Sequence, residues 1–252
     1  MHPILIDFGP LAIHTYGLFI AVAFLLSIWW GIREARLAEL DTNVVPDLAL
    51  IIVISAMLGA RLLHVLLELP HFLEHPLEAF MIWRGGLVFS GGLFLAVAVS
   101  LWFMKRRHQP LFRWLDVAAP AITLGQAIGR IGCFFAGCCY GLPTNAPWAV
   151  TFHDPACLAP LNIPLHPTQL YHSVTALVIF GILVISRKLF KTPGQRMGLY
   201  LVLYPASRFV IEFYRDDYRG YAGPLSVTQV MVAVFFCVGL FLLFRKPKGE
   251  SV

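Results

Sequence analysis

The chain has 252 residues, 58% hydrophobic and only 13% charged, with a mean hydropathy of +0.74. Soluble domains are about half apolar and about a quarter charged. A soluble fold is therefore excluded, and the length divides instead into membrane spans of about 20 residues each.

Seven apolar segments are long enough to span, near 12–31, 47–68, 86–104, 115–136, 166–186, 197–214 and 225–244. Residues 1–11 contain no Lys or Arg, so they lack the basic start of a cleavable signal peptide and the first span is expected to stay. Tyr16 sits near its beginning. The second segment carries Arg61, His64 and Glu68, spaced three and four apart. LPHFLEHPLEAFMIWRG follows at 69–85 and is expected to lie along the interface as a short amphipathic helix. The third segment opens with paired glycines, Gly85 with Gly86 and Gly91 with Gly92, around Ser90. Such pairs permit close approach of a ligand or of another helix.

The fourth segment places Gln126, Arg130 and Cys133 on one helical face by spacings of four and three. A long connection, about 137–165, is rich in proline and free of Lys and Arg. The fifth segment opens with HPTQLYH, where Pro167 suits a first helical turn and His166 and Gln169 share a face. In the sixth, Tyr204, Arg208, Glu212 and Arg215 are spaced four, four and three. That is a polar stripe on an otherwise apolar helix.

The basic residues orient the chain. Thirteen fall on one side: Arg33, Arg36, Lys105, Arg106, Arg107, Arg113, Arg187, Lys188, Lys191, Arg196, Arg245, Lys246 and Lys248. The other side has Arg84, Arg215 and Arg219. The positive-inside rule assigns the first side to the cytoplasm. The expected fold is an all-α integral membrane protein with seven transmembrane helices, a periplasmic N-terminus and a cytoplasmic C-terminus. It forms a single polytopic domain over 1–252, with a periplasmic loop region at about 137–165.

Arg61, Arg130 and Arg208 remain inside apolar segments. An arginine at the centre of a span costs at least ~2.5–3.5 kcal/mol, and such residues are usually functional. Glu212 is one turn from Arg208 and can pair with it, reducing the desolvation cost of both. Several arginines with acidic and hydroxyl partners, all toward the outer half, describe a site for an anion that arrives with apolar tails. A phospholipid headgroup fits that description.

These residues resemble the bacterial prolipoprotein diacylglyceryl transferases. The likeness rests on GRIGCFFAGCCYG (129–141), HTYG (14–17), GGLVFSGGL (85–93), HPTQLY (166–171) and YPASRFVIEFYR (204–215), in order and at similar spacing. The resemblance implies transfer of the diacylglyceryl group of phosphatidylglycerol to the lipobox cysteine of a preprolipoprotein. Glycerol phosphate is released, on the outer face of the bacterial inner membrane, with no cofactor, metal or nucleic acid. It implies catalytic roles for Arg130, Arg208, Tyr204 and Glu212. Tyr16, Arg61, Ser90, Gly91, Gly92, Cys133, His166, Gln169 and Arg215 are expected to line the substrate site.

Three positions depart from the family pattern. Ser90 stands where many members have histidine, Cys133 where asparagine is common, and Cys138 where glutamate is common. Serine is no base at neutral pH, which leaves His166, His64, Tyr204, Glu212 or the positive potential alone to deprotonate the acceptor. Two further readings stay open: a related transferase with another acceptor, and a lipid-binding membrane protein without chemistry.

Cys133 and Cys138–Cys139 with a distant Cys157 make a poor zinc pattern, since structural zinc sites usually show closer cysteine pairs and further ligands. The outward location of Cys138, Cys139 and Cys157 favours a disulfide instead. Cys157 is expected to bridge to Cys138 or Cys139 and pin the outer loop.

Overall fold

The computed structural model describes residues 2–7, 12–82, 85–216, 221–222 and 225–245. Arg84, Arg219, Lys246 and Lys248, which enter the orientation count, lie outside these residues. Each apolar segment forms a helix. In chain order the helices are α1 (Thr15–Leu37), α2 (Val44–Leu67), the short α3 (Leu69–Glu74), α4 (Phe89–Arg106), α5 (Leu111–Ala136), α6 (Thr168–Ile185), α7 (Gln195–Glu212) and α8 (Val227–Leu243). The 69–85 stretch is α3 followed by a 3-10 turn over Pro76–Phe80, rather than one continuous helix. Pro76, which has no amide hydrogen, opens the new turn.

Among the described residues, five helices, α1, α2, α4, α5 and α6, are long and apolar enough to cross a membrane. Their outward faces are apolar: Leu25 is 64% exposed and Leu58 62%. Such surface is costly in water and suited to lipid. The described residues also form three short antiparallel ladders: β1 (Ile4–Asp7) with β2 (Ala12–His14), β3 (Val150–Thr151) with β4 (Pro164–Leu165), and β5 (Tyr221–Ala222) with β6 (Leu225–Ser226).

Contacts divide the chain into two units, Ile32–Trp114 and the remainder, Met1–Gly31 with Leu115–Val252. In the first unit α2 packs closely on α4, glycine against backbone at the crossing. A Cβ added to Gly92 would lie 2.8 Å from the Ala56 carbonyl oxygen, and one added to Gly91 would strike the Gly59 carbonyl and the Leu63 side chain. Gly91 and Gly92 thus serve helix packing, the small-residue mode of membrane helices.

In the second unit α1 meets α5 through a stacked pair, Phe19 and Phe135, with ring centroids 5.3 Å apart. The Ser173 hydroxyl ties α6 to α5 by donating to the Ala127 carbonyl at 2.8 Å. No side chain of its own caps α7. Asp116 on α5 does so, accepting from the backbone amides of Gly194 at 2.7 Å and Met197 at 3.0 Å. Those amides are among the orphan donors of a helix start. The cap fixes the height of α7 against α5, and with it the polar stripe.

Candidate active site

The stripe on α7 forms as its spacing implies. Arg208 donates to Glu212 one turn on, and the Arg215 Nε lies 3.8 Å from the same carboxylate oxygen. One carboxylate thus serves two guanidinium groups. Arg208 is 4% exposed and Arg215 8%, depths at which charge persists only with partners. Tyr204 stacks on Tyr200 at 5.5 Å, and the Tyr200 hydroxyl donates to Gln126 on α5 at 3.1 Å. That contact holds α5 and α7 face to face. Arg130, half-buried on the same α5 face, lies within electrostatic reach of Tyr204, Cys133, Cys139 and Arg215.

The end of α5 shapes the thiols. The Gly137 amide bonds to the Phe134 carbonyl and the Cys138 amide to the Cys133 carbonyl, both at 3.2 Å. With Gly137 at φ +72°, this is a Schellman stop, which sets the second residue past the helix over the one five before it. Cys138 therefore lies over Cys133, and its thiol points to the Cys133 carbonyl at 3.7 Å. Cys139 follows at φ +60° and turns back. All three sulfurs lie within 4.8 Å of one another. Two residues at the start of α6 hold this turn, both fully buried. The Gln169 amide donates to the Cys138 carbonyl at 2.8 Å, and the Thr168 hydroxyl to the Cys139 carbonyl at 2.7 Å.

The neighbouring thiols of Cys133 and Cys138 hold the Cys139 thiol far below its ordinary range, with Arg215 adding to the effect. The Cys138 thiol is pushed up by the same neighbours. The thiol most disposed to ionise is thus Cys139, beside Arg215. Tyr16 on α1 lies within electrostatic reach of all three cysteines and of Arg130. Beside it opens a cavity of about 450 Å³, lined by Pro3, His14, Tyr16, Gly17, Ala136, Cys138, Ala156 and Leu158.

The expected disulfide is not formed: all five cysteines are free. Cys157 is buried in a small apolar cluster with Phe152, Ala159 and Leu165, and its Cβ packs against Gly137. It secures the loop by packing, while Cys138 turns toward Cys133 instead. Compartment predicts oxidation, but it says nothing about which sulfurs face each other.

The other expected residues stand as follows. Gln169 holds the cysteine turn, as above. His166 is hydrogen-bonded by its Nδ1 to the Tyr171 hydroxyl at 3.0 Å and packs on the Tyr214 ring at 5.3 Å. In the Ile32–Trp114 unit, Arg61 spends its guanidinium on backbone carbonyls. It donates to Ala79 at 2.9 Å, to Gly85 at 2.7 Å, to Gly86 at 3.3 Å and also to Glu78. It thereby pins the turn after α3. Ser90 is half-buried in the first turn of α4. Sequence reasoning missed His172. It is 1% exposed, both ring nitrogens lack a hydrogen-bond partner, and it lies within electrostatic reach of Arg130, Arg208, Arg215 and Cys139. Its position three after Gln169 was the available signal.

Fold and site together define an integral multi-pass membrane protein that gathers guanidinium, carboxylate, phenol and thiol groups in one helical bundle. Sequence comparison narrows that class. The profile of the prolipoprotein diacylglyceryl transferases matches residues 3–245. The chain is 40% identical over 256 residues to the phosphatidylglycerol–prolipoprotein diacylglyceryl transferase of Symbiobacterium thermophilum, covering 99% of this chain and 95% of that one. It is 32% identical over 251 residues to the enzyme of that name from Clostridium tetani, covering 98% and 100%. With the enzyme from Bordetella bronchiseptica the identity is 36% over 258 residues, covering 98% and 97%. The chain belongs to the prolipoprotein diacylglyceryl transferase family.

Proposed function

We propose that the protein transfers the diacylglyceryl group of phosphatidylglycerol to the lipobox cysteine thiol of preprolipoproteins, forming a thioether and releasing glycerol phosphate. The observation that carries this reading is the buried Arg208–Glu212–Arg215 group with Arg130 and Tyr204 beside it. As the glycerol C–O bond breaks, charge builds on the phosphate, and fixed guanidinium groups in a water-poor site stabilise it. Arg130 and Arg208 hold the phosphate, Glu212 orients Arg208 and Arg215, and Tyr204 hydrogen-bonds the headgroup or the incoming thiol. Relatives named for this reaction, aligned over almost the whole chain, support it.

We further infer seven spans, with α7 and α8 joining the five long apolar helices. The thirteen basic residues on one side orient the bundle, with the polar site toward the periplasmic face of the inner membrane. Phosphatidylglycerol then reaches the site from the outer leaflet, and the signal peptide of the preprolipoprotein enters from the membrane.

The test combines purified protein, phosphatidylglycerol and a synthetic lipobox peptide in detergent, reading released glycerol phosphate. Release should require the peptide cysteine and fall at least ~100-fold in Arg130→Ala and Arg208→Ala. Release that persists without the peptide cysteine, or in both variants, would reject the reading.

A further inference from the structure

Thiol alkylation needs a thiolate, and a free cysteine thiol is mostly protonated at neutral pH. Ser90 is no base at neutral pH. The cysteine turn supplies a different means. We propose that Cys133, Cys138 and Cys139 form a three-thiolate zinc(II) site whose open fourth position takes the acceptor thiol. The proposal rests on the transferase reading and names how that reaction obtains its nucleophile.

The geometry is built for a metal. The three sulfurs lie within 4.8 Å of one another. Tetrahedral zinc with Zn–S bonds of ~2.3 Å holds its sulfurs roughly 3.8 Å apart, a spacing that small χ1 adjustments reach. The backbone carrying them is fixed by the Schellman stop at Gly137, by the turn at Cys139, and by Gln169 and Thr168 on the two cysteine carbonyls. A spacing that reads poorly as a structural zinc motif thus becomes three converging ligands. Catalytic zinc sites have this form, with three protein ligands and one position left for water or substrate.

The surroundings agree with the metal's needs. Thiolate ligands must lose their protons, and Arg215 hydrogen-bonds Cys139 while Arg130 lies within electrostatic reach of Cys133 and Cys139. Three thiolates with zinc(II) carry one net negative charge, which Arg130 and Arg215 face. Cys138 also lines the cavity of about 450 Å³ beside Tyr16, whose Pro3, Ala136, Ala156 and Leu158 walls are apolar. That cavity gives a peptide thiol a way to the fourth position.

The step balances. On coordination the acceptor S–H loses its proton to solvent, because a metal-bound thiol is deprotonated outright. The sulfur electron pair attacks the glycerol carbon, forming the S–C bond. The C–O bond breaks, its electrons go to the phosphate oxygen held by the arginines, and glycerol phosphate leaves as the dianion.

The experiment uses the full chain in detergent. Metal is stripped with a chelator and restored with zinc chloride or cobalt chloride alone. One metal per chain is expected, with protection of three thiols from an alkylating reagent. The cobalt form should show thiolate charge-transfer absorption that increases in the ratio of three thiolates to four when the lipobox peptide is added. Stripped protein should lose ~100-fold or more of its glycerol phosphate release at neutral pH, the scale of lost base assistance, and zinc should restore it. Cys138→Ser and Cys139→Ser should weaken binding, and the cobalt titration of the unaltered chain guards against misfolded variants. Full release by stripped protein, no metal uptake, or a cobalt spectrum blind to the peptide would each overturn the zinc proposal. The transferase reading survives the first of these. Metal and peptide thiol bound with no glycerol phosphate released would instead uphold the site and overturn the transferase reading.

Discussion

Two buried arginines in apolar helices behave differently here. Arg61 and Arg208 are 8% and 4% exposed, and each sits where an unpaired charge is costly. Arg61 directs its donors to the carbonyls of Glu78, Ala79, Gly85 and Gly86, so its charge is spent on holding a turn. Arg208 pairs with a carboxylate that Arg215 shares, and this group adjoins Arg130 and the thiols. Depth alone does not separate a structural arginine from a reactive one. The partners differ where depth does not: carbonyls tie Arg61 to a turn, whereas a shared carboxylate holds Arg208 and Arg215 together.

The largest expected effect is at Arg208. Arg208→Ala should lower kcat/KM by ~1,000-fold or more, because it removes a transition-state donor and strands Glu212. Arg208→Lys should recover little of it, since a point charge does not replace a planar fork. Glu212→Gln keeps the shape and removes the charge, and a fall of about 100-fold is expected in the same assay. Arg61→Ala should act on stability instead, lowering it by about 2–4 kcal/mol through its lost carbonyl bonds. Thermal unfolding in detergent reads this, while turnover per folded molecule stays within about threefold. A loss of turnover at unchanged unfolding temperature would erase the distinction between the two arginines. Gly91→Ala should cost about 1–3 kcal/mol by forcing α2 from α4, again in unfolding rather than in catalysis. The smallest effect is at Cys157. Cys157→Ala should cost about 1 kcal/mol from lost packing, with no change in activity on adding reductant. Mass spectrometry that found Cys157 bridged would restore the disulfide.

The helices were legible in the sequence because membrane spans are written in hydropathy, and each expected segment is helical. The α7 stripe was legible for the same kind of reason: spacings of three and four fix a face before any tertiary contact exists. What escaped depends on contacts across the chain. The carbonyl partners of Arg61 lie 17 to 25 residues downstream in a turn that no periodicity describes. His172 becomes notable only when α5 and α7 close around it. The three sulfurs meet because a helix stop folds the chain back on itself, an arrangement that a count of intervening residues does not reveal. The glycine pair Gly91 and Gly92 had two readings in sequence, and the close approach of the α2 backbone supports the packing one.

The shared carboxylate has a consequence for lipid choice. Arg208 and Arg215 contribute two positive charges, and the Glu212 carboxylate they share removes one. One positive charge remains. A phosphodiester headgroup with a single negative charge brings the balance to zero. A zwitterionic lipid leaves it unmet, and a phosphomonoester overshoots it. Electroneutrality thus acts as a valence filter on what the membrane offers. On the proposed assignment of the site it also favours departure of the product, because the freed phosphate carries one charge too many for this group.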